Sequence, residues 1–385
     1  MIFGIFFVIS FLSNIVGPLV PEIIGAFGLS LTMAAFLPFC FFGAYAVMSL
    51  PAGLLTERFG EKKVILGAFA LAFAGSLLFS LIPSYPTALL SLFLIGLGMA
   101  ALQVTLNPLL RVAGGEEYFA FNAVVGEVVF GLASFLSPLL YSHFAVGHDP
   151  ASLSWVAIYW VFSMVSGGAL LAIAFVRLPR VGRAAEKESA RSAHLWLMKR
   201  PIVWAYFFGI FAYVGIEQGL NNWAGQFLKA QHGIDPATGG ATAVSRFWLL
   251  MTFGALLGLV LLRKLDSRRV LILFTAASIG VFTLALFGGA SVSYYSFSAL
   301  GFTVSVMWPI VFSLALNSVD RHHRTFSGLL CTGVVGGAVV PLIIGFIGDG
   351  LGLKTGMILL YLPLAYLLSM GFWARPLITN KTTDD

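Results

Sequence analysis

An ionisable side chain inside a long apolar run costs about 2.5–3.5 kcal/mol on membrane-insertion scales and is usually kept for a purpose. Glu127 in "VVGEVVFG" (124–131) is one such group. It stands about ten residues from the end of its segment, hence roughly 15 Å deep at 1.5 Å per residue. A buried carboxyl holds a proton in hydrocarbon and releases it where water or a cation reaches it, because burial penalises the charged form. Proton carriage is therefore one expectation for Glu127; a hydrogen-bond acceptor for a solute or a structural acid are the others. Residues 215–223, "GIEQGLNNW", concentrate Glu217, Gln218, Asn221, Asn222 and Trp223. Glu217 and Asn221 share a helix face, as do Gln218 and Asn222, each pair being four residues apart. Carboxylates and amides so placed satisfy vicinal hydroxyls, while an aromatic ring covers an apolar C–H face. Arg246 lies about 12 Å from the end of its segment and Glu217 about 16 Å from the matching end. The similar depths predict a Glu217–Arg246 pair, either static or opened by a proton or solute.

Further polar and aromatic candidates follow the same logic. Gln103 and Asn107 are four residues apart, and Asn107, preceding Pro108, has the alternative role of satisfying backbone freed by the proline. Trp308 in "VMWPIVF" falls opposite Gln103 when Gly96 and Gly301 are aligned, so it is a candidate stacking platform. Trp223 and Trp248 are candidates of the same kind, with packing as the plain alternative. Asn14 offers hydrogen bonds in the first segment, Asn122 is expected to pack, and Glu22 is expected near a helix end within reach of water. His143, His148, His322 and His323 read as solvated residues in or near loops.

The elements that must position these groups are membrane helices. Of 385 residues, 59% are hydrophobic and 10% charged, against about a quarter charged in soluble domains; the mean hydropathy is +0.95. A span needs about 20 mostly apolar residues, which predicts helices over 2–27, 31–56, 63–82, 86–113, 117–145, 153–177, 201–228, 239–262, 269–288, 293–317, 325–348 and 355–374. The opening run, continuing to about Phe27, is too long for a signal-peptide core and reads as the first span. With these spans, every loop Lys and Arg except Lys229 and Lys354 falls on one side, a positive-inside bias that puts both termini in the cytoplasm. The net charge of +6 thus belongs to membrane loops, and no nucleic-acid partner is expected. Cys40 and Cys331 lie in separate apolar segments and support neither a disulfide framework nor a metal site. No ATP motif, nucleophile triad, cofactor or metal site is read, so no enzyme is expected.

The chain also repeats itself. "GLLTERFGEKK" (53–63) and "LVLLRKLDSRR" (259–269) join matching helices, and "FNAVVGEVVFG" (121–131) aligns on "FSGLLCTGVVG" (326–336) without a gap. The expected architecture is all-α with 12 transmembrane helices in two pseudo-symmetric six-helix bundles: 1–178, a cytoplasmic linker 179–200, 201–375, and a tail 376–385. Parallel repeats with a midplane site between them suit secondary transporters.

Here the sequence resembles the major facilitator superfamily. Gly53, Glu57, Arg58, Gly60, Lys62 and Lys63 match its signature loop between the second and third helices. The resemblance implies a cytoplasmic latch whose acid and Arg pair with helix ends of the other half in the outward-facing state. Within the superfamily, "SLPAGLLTERFG" (49–60), "GLGMAALQVTLNPLL" (96–110), "YVGIEQGLNNW" (213–223), "MWPIVFSLAL" (307–316) and "SGLLCTGVVGGAVVPLIIGFIGD" (327–349) resemble the fucose permease and glucose/galactose permease branch. That branch consists of proton- or sodium-coupled importers of hexoses and related sugars. Two positions depart from the fucose permease: Gly17 replaces its first-helix aspartate, and Gln103 replaces a glutamate. The resemblance implies a monomeric inner-membrane carrier that imports a monosaccharide by proton or sodium symport. Substrate contacts are expected at Gln103, Asn107, Glu217, Gln218, Asn221, Asn222, Trp223 and Trp308, and coupling at Glu127, Glu217 and Arg246. A proton-coupled exporter of amphipathic molecules and a non-transporting receptor or scaffold are the alternatives.

Overall fold

The structure is a computed structural model that describes residues 1–114, 119–145, 153–176, 195–262 and 264–375. Among these residues, twelve helices are long and apolar enough to cross a membrane: α1 (Ile2–Phe27), α2 (Leu31–Ser49), α3 (Glu61–Leu81), α4 (Tyr85–Leu106), α5 (Val128–Ala145), α6 (Ser154–Phe175), α7 (Pro201–His232), α8 (Pro236–Leu261), α9 (Ser267–Phe287), α10 (Ala290–Leu316), α11 (Thr325–Leu351) and α12 (Leu353–Trp373). Helix α2 continues to Phe59 and α4 to Gly114, and the helix of α5 begins at Phe119. The largest departure from the expected bounds is α7, which runs on to His232 with Lys229 and His232 in its last turn, where basic side chains complement the helix dipole. Of the proposed linker only 195–200 is described; there Trp196 lies between the guanidinium groups of Arg200, 3.8 Å from its ring, and Arg321, 4.7 Å away.

Buried apolar side chains form two clusters. One runs from Ile5 to Ile173 and takes in Ala237, Ala241 and Ala338; the other runs from Leu197 to Ala374 and takes in Val20, Ala34 and Ala35. The exceptions mark where the two six-helix sets touch. On the outside, Phe175, Phe346, Leu351, Leu362 and Phe372 are each largely exposed, an apolar surface that lipid covers.

Short polar side chains stitch neighbouring helices. Helix α1 breaks between Ser13 and Val16. Beside the break, buried Asn14 donates to Ser134 Oγ at 2.8 Å, and Ser10 Oγ donates to the Phe130 carbonyl at 2.5 Å. Among the described residues, close contacts join the halves at three places in particular. At Gly17 the backbones of α1 and α7 meet so closely that a methyl group would collide with the Asn221 carbonyl. At Gly345 on α11 a methyl group would lie 2.7 Å from the Leu31 carbonyl oxygen and 2.8 Å from Ala35 Cβ on α2. Between α5 and α8, Ser245 Oγ donates to the Phe135 carbonyl at 2.7 Å.

The loop into α9 is held by Asp266, which accepts hydrogen bonds from the Arg268 backbone at 2.8 Å and its Nε at 3.1 Å. Burial opposes ionisation of Asp266, but the Arg268 side chain and the backbone N–H groups of Arg268 and Arg269 outweigh it and hold the carboxyl below its ordinary range. A carboxyl lowered by folding stabilises the protein above its unfolded range, and that stability is lost as pH falls through the folded value.

Two outcomes are expected in thermal unfolding of the detergent-solubilised protein. Gly17→Ala lowers the midpoint, as overpacking costs about 1–3 kcal/mol. Asp266→Ala removes a helix cap worth about 0.5–2 kcal/mol at neutral pH and flattens the acid limb of the stability profile.

Candidate translocation site

The polar run of α7 folds into one connected network. Tyr213 Oη donates to Glu217 Oε2 at 2.5 Å, and Gln218 Nε2 donates to Glu217 Oε1 at 2.9 Å. Asn222 Nδ2 donates to the Gln218 carbonyl at 2.7 Å, and Trp248 Nε1 on α8 donates to Asn221 Oδ1 at 3.1 Å. Gln218, Asn221 and Asn222 are buried and Glu217 is half-buried. Asn222 Oδ1 is buried without a hydrogen-bond partner among the described residues, and such an atom calls for a water or a ligand. The Tyr213 ring lies 5.9 Å from that of Trp308 on α10, which stacks on Phe312 at 5.8 Å with 23° between planes. Trp308 is half-buried. A carboxylate, amides and a partly open indole are thus joined through Tyr213, a set able to bind hydroxyls along one edge of a solute and to cover its C–H face.

The structure corrects several expectations. Arg246 does not pair with Glu217: it is exposed and lies over Tyr294, with Cζ 5.7 Å from the ring centroid. The two are not level either: the Trp248–Asn221 bond puts Arg246 two residues toward the outer end from that contact and Glu217 four residues toward the inner end, while α8 turns Ser245 toward α5 and Trp248 toward α7. Trp223 is no solute platform in this arrangement. It is 1% exposed and its Nε1 donates to the Pro341 carbonyl at 3.1 Å, tying α7 to α11. Glu22, expected within reach of water, is buried and accepts a hydrogen bond from Tyr141 Oη at 2.7 Å. Gln103 is half-buried on α4. The side chains of Glu57, Asn107, Asn122 and Glu127 lie outside the described residues.

In the signature loop, Lys62 Nζ donates to the Ala174 carbonyl at the end of α6, at 2.8 Å, and exposed Arg58 lies over Phe59. Both contacts stay within the first six helices. The clasp between halves is at the other, outer end, the one away from the basic loops. There Asp349 Oδ1 and Oδ2 on α11 accept hydrogen bonds from the backbone N–H groups of Leu31 and Thr32 at 2.7 and 2.8 Å. An acid on the first turn of a helix satisfies unpaired donors and the dipole together. Neither Asp349 nor Tyr213 was singled out from sequence. Tyr213 carried a usable signal, its four-residue spacing from Glu217; Asp349 carried none, since its partner is on a distant helix.

Twelve membrane helices around an interior polar network, clasped at one end, define a membrane transporter. The chain belongs to the Major Facilitator Superfamily, whose family profile matches residues 2–341, and it has that all-α fold. It is 29% identical over 390 residues to a protein named glucose/galactose transporter from Brucella abortus biovar 1 (strain 9-941), covering 95% of this chain and 91% of that one. It is 24% identical over 380 residues to the L-fucose-proton symporter of Escherichia coli (strain K12), covering 91% and 86%. Among solved structures it resembles FucP, a Major Facilitator Superfamily transporter, in the outward conformation, with a TM-score of 0.71, 19% identity and 97% of each chain covered.

If Asp349 clasps the outer end, Asp349→Ala weakens it by about 1.5–3 kcal/mol, the worth of a hydrogen bond to a charged group. A cysteine at buried Ala35, in a chain with Cys40 and Cys331 replaced by Ser, is then labelled at least about tenfold faster by an impermeant maleimide. Equal labelling rates with and without Asp349 contradict the clasp.

Proposed function

We propose that this transporter imports a monosaccharide, a hexose or related sugar, by proton symport with alternating access. The observation that carries the reading is the Tyr213–Glu217–Gln218–Asn221 network beside Trp308, a polar edge and an aromatic face within an otherwise apolar bundle. The names of the relatives, one for glucose and galactose and one for fucose with a proton, support the same class of solute. In this reading Glu217, Gln218 and Asn221 bind hydroxyls, and Asn222 Oδ1 accepts a hydrogen bond from the solute or a water. Trp308 covers the ring, and Gln103 and Asn107 of α4 are further solute contacts. Residues 1–178 and 201–375 rock against each other about the α1–α7, α2–α11 and α5–α8 contacts, and both termini face the cytoplasm of a cell with this protein in its inner membrane.

The test is uptake of labelled glucose, galactose and fucose by the purified protein in liposomes, under an inward proton gradient, an inward sodium gradient or none. The proton gradient is expected to drive accumulation. Glu217→Gln raises KM by at least about tenfold, the equivalent of one lost charged hydrogen bond, while Glu127→Gln reports whether that acid takes part in coupling. Failure to accumulate any of the sugars under either gradient overturns the reading and favours an exporter.

A further inference from the structure

Glu22 is a buried carboxyl on α1, and its surroundings come from both halves. It stands five residues beyond Gly17 on α1, about 7.5 Å nearer the outer end, whereas Glu217 stands four residues before Asn221 on α7, about 6 Å nearer the inner end. Because Gly17 and Asn221 are in contact, the α1–α7 crossing separates the two acids by roughly 13 Å along the bundle axis. Glu22 and its donor Tyr141 both belong to the first six helices, on α1 and α5. The charged groups that face it belong to the other half: Lys229 at the end of α7 and Asp235 at the turn into α8. Helix α2 brings no charged side chain between Leu31 and Ser49. That turn covers Glu22: Ala237 and Ala241, just past Asp235, are buried in the first half's apolar cluster, and Pro21 approaches Gly225. An acid carried by one half and sealed by the other is open to the outer medium only when the halves part at that end.

A second observation links Glu22 to Glu217. Two buried oxygens one turn apart on α7, Gln226 Oε1 and Asn222 Oδ1, have no hydrogen-bond partner among the described residues. Since Pro21 is level with Gly225, Glu22 is level with Gln226, and Asn222 lies between that level and the Gln218–Glu217 pair. Buried acceptors of this kind are normally satisfied by ordered water, and water between such groups passes protons.

We propose that Glu22 is the carboxyl that takes up the coupling proton from the outer medium, and that water held by Gln226 and Asn222 passes it inward to Glu217. The step is a proton transfer only. The Glu22 carboxylate accepts H+ from water at the opened outer mouth; each bridging water then accepts one proton and gives one on, so that one proton moves to Glu217 and Glu22 returns to its ionised form. A proton fits better than sodium, because the hydrogen-bond partner recorded for Glu22 is a donor, Tyr141 Oη. This proposal rests on the cation-symport reading above.

The test uses the full chain in lipid with two readouts. In infrared difference spectra between acid and alkaline pH, without sugar, the wild type is expected to show a protonated-carboxyl band that Glu22→Gln removes and Glu22→Asp keeps. In liposomes, Glu22→Gln is expected to lose sugar accumulation driven by a proton gradient while still exchanging sugar at equal pH, which shows that it is folded. Gln226→Leu is expected to lose most of the proton-driven component in the same way. Wild-type accumulation by Glu22→Gln, or accumulation driven by sodium alone, overturns the proposal while leaving the sugar reading standing. If the wild type transports no sugar, the sugar reading fails and the infrared band decides Glu22 separately: an unchanged spectrum in Glu22→Gln overturns the assignment.

Discussion

The backbone contact between α1 and α7 at Gly17 and Asn221 is the constraint around which the rest is arranged. No side chain fits between the two helices there, and Glu217 with its partners lies on one side of the crossing along the bundle axis, Glu22 with Tyr141 on the other. With this helix spacing, a side chain at position 17 has no room. Inside a bilayer each polar group needs an internal partner, and Tyr213, Gln218 and Trp248 meet that need for Glu217 and Asn221 without leaving α7 and α8.

Rigidity within each half comes from small polar stitches. Ser137 Oγ donates to the Phe11 carbonyl at 2.9 Å, beside the Asn14 and Ser10 bonds that lock α1 to α5. In the second half Trp223 bonds the Pro341 carbonyl, Ser318 donates to Tyr206 Oη at 2.9 Å, and Tyr366 Oη donates to the Ala205 carbonyl at 2.7 Å. These bonds tie α7 to α10, α11 and α12, so the second set of helices can move together. Contacts across the halves among the described residues are largely of another kind: glycine-to-backbone approaches and small apolar side chains, with the Ser245 bond and the Asp349 clasp. Small residues permit close packing without directional bonds, which suits surfaces that must separate.

Much of this was legible in the sequence. Span length, apolar composition and the repeat gave the twelve helices, and the α7 run announced itself by five polar or aromatic residues within seven positions, 217–223. Neither height against a neighbouring helix nor direction around the helix follows from the rise per residue alone, because both depend on which neighbours pack there. Arg246 is the clear case: it lies over Tyr294, nearer the outer end than Glu217. Glu22 was misjudged for the related reason that nearness to a helix end says nothing about what covers that end. Trp223 was counted with the solute contacts because its neighbours are polar, yet its own N–H is used by a carbonyl on α11.

The clasp at Asp349 lies on the surface, where its carboxylate and the first turn of α2 meet the surrounding solution. Charges so exposed are screened over about 10 Å at 0.1 M salt, and less in dilute media. In the alternating-access reading proposed above, the balance between clasped and open forms responds to the ionic strength on one side of the membrane only, and a cell moving between dilute and salty surroundings would alter how often its carriers face outward without changing a residue in the interior.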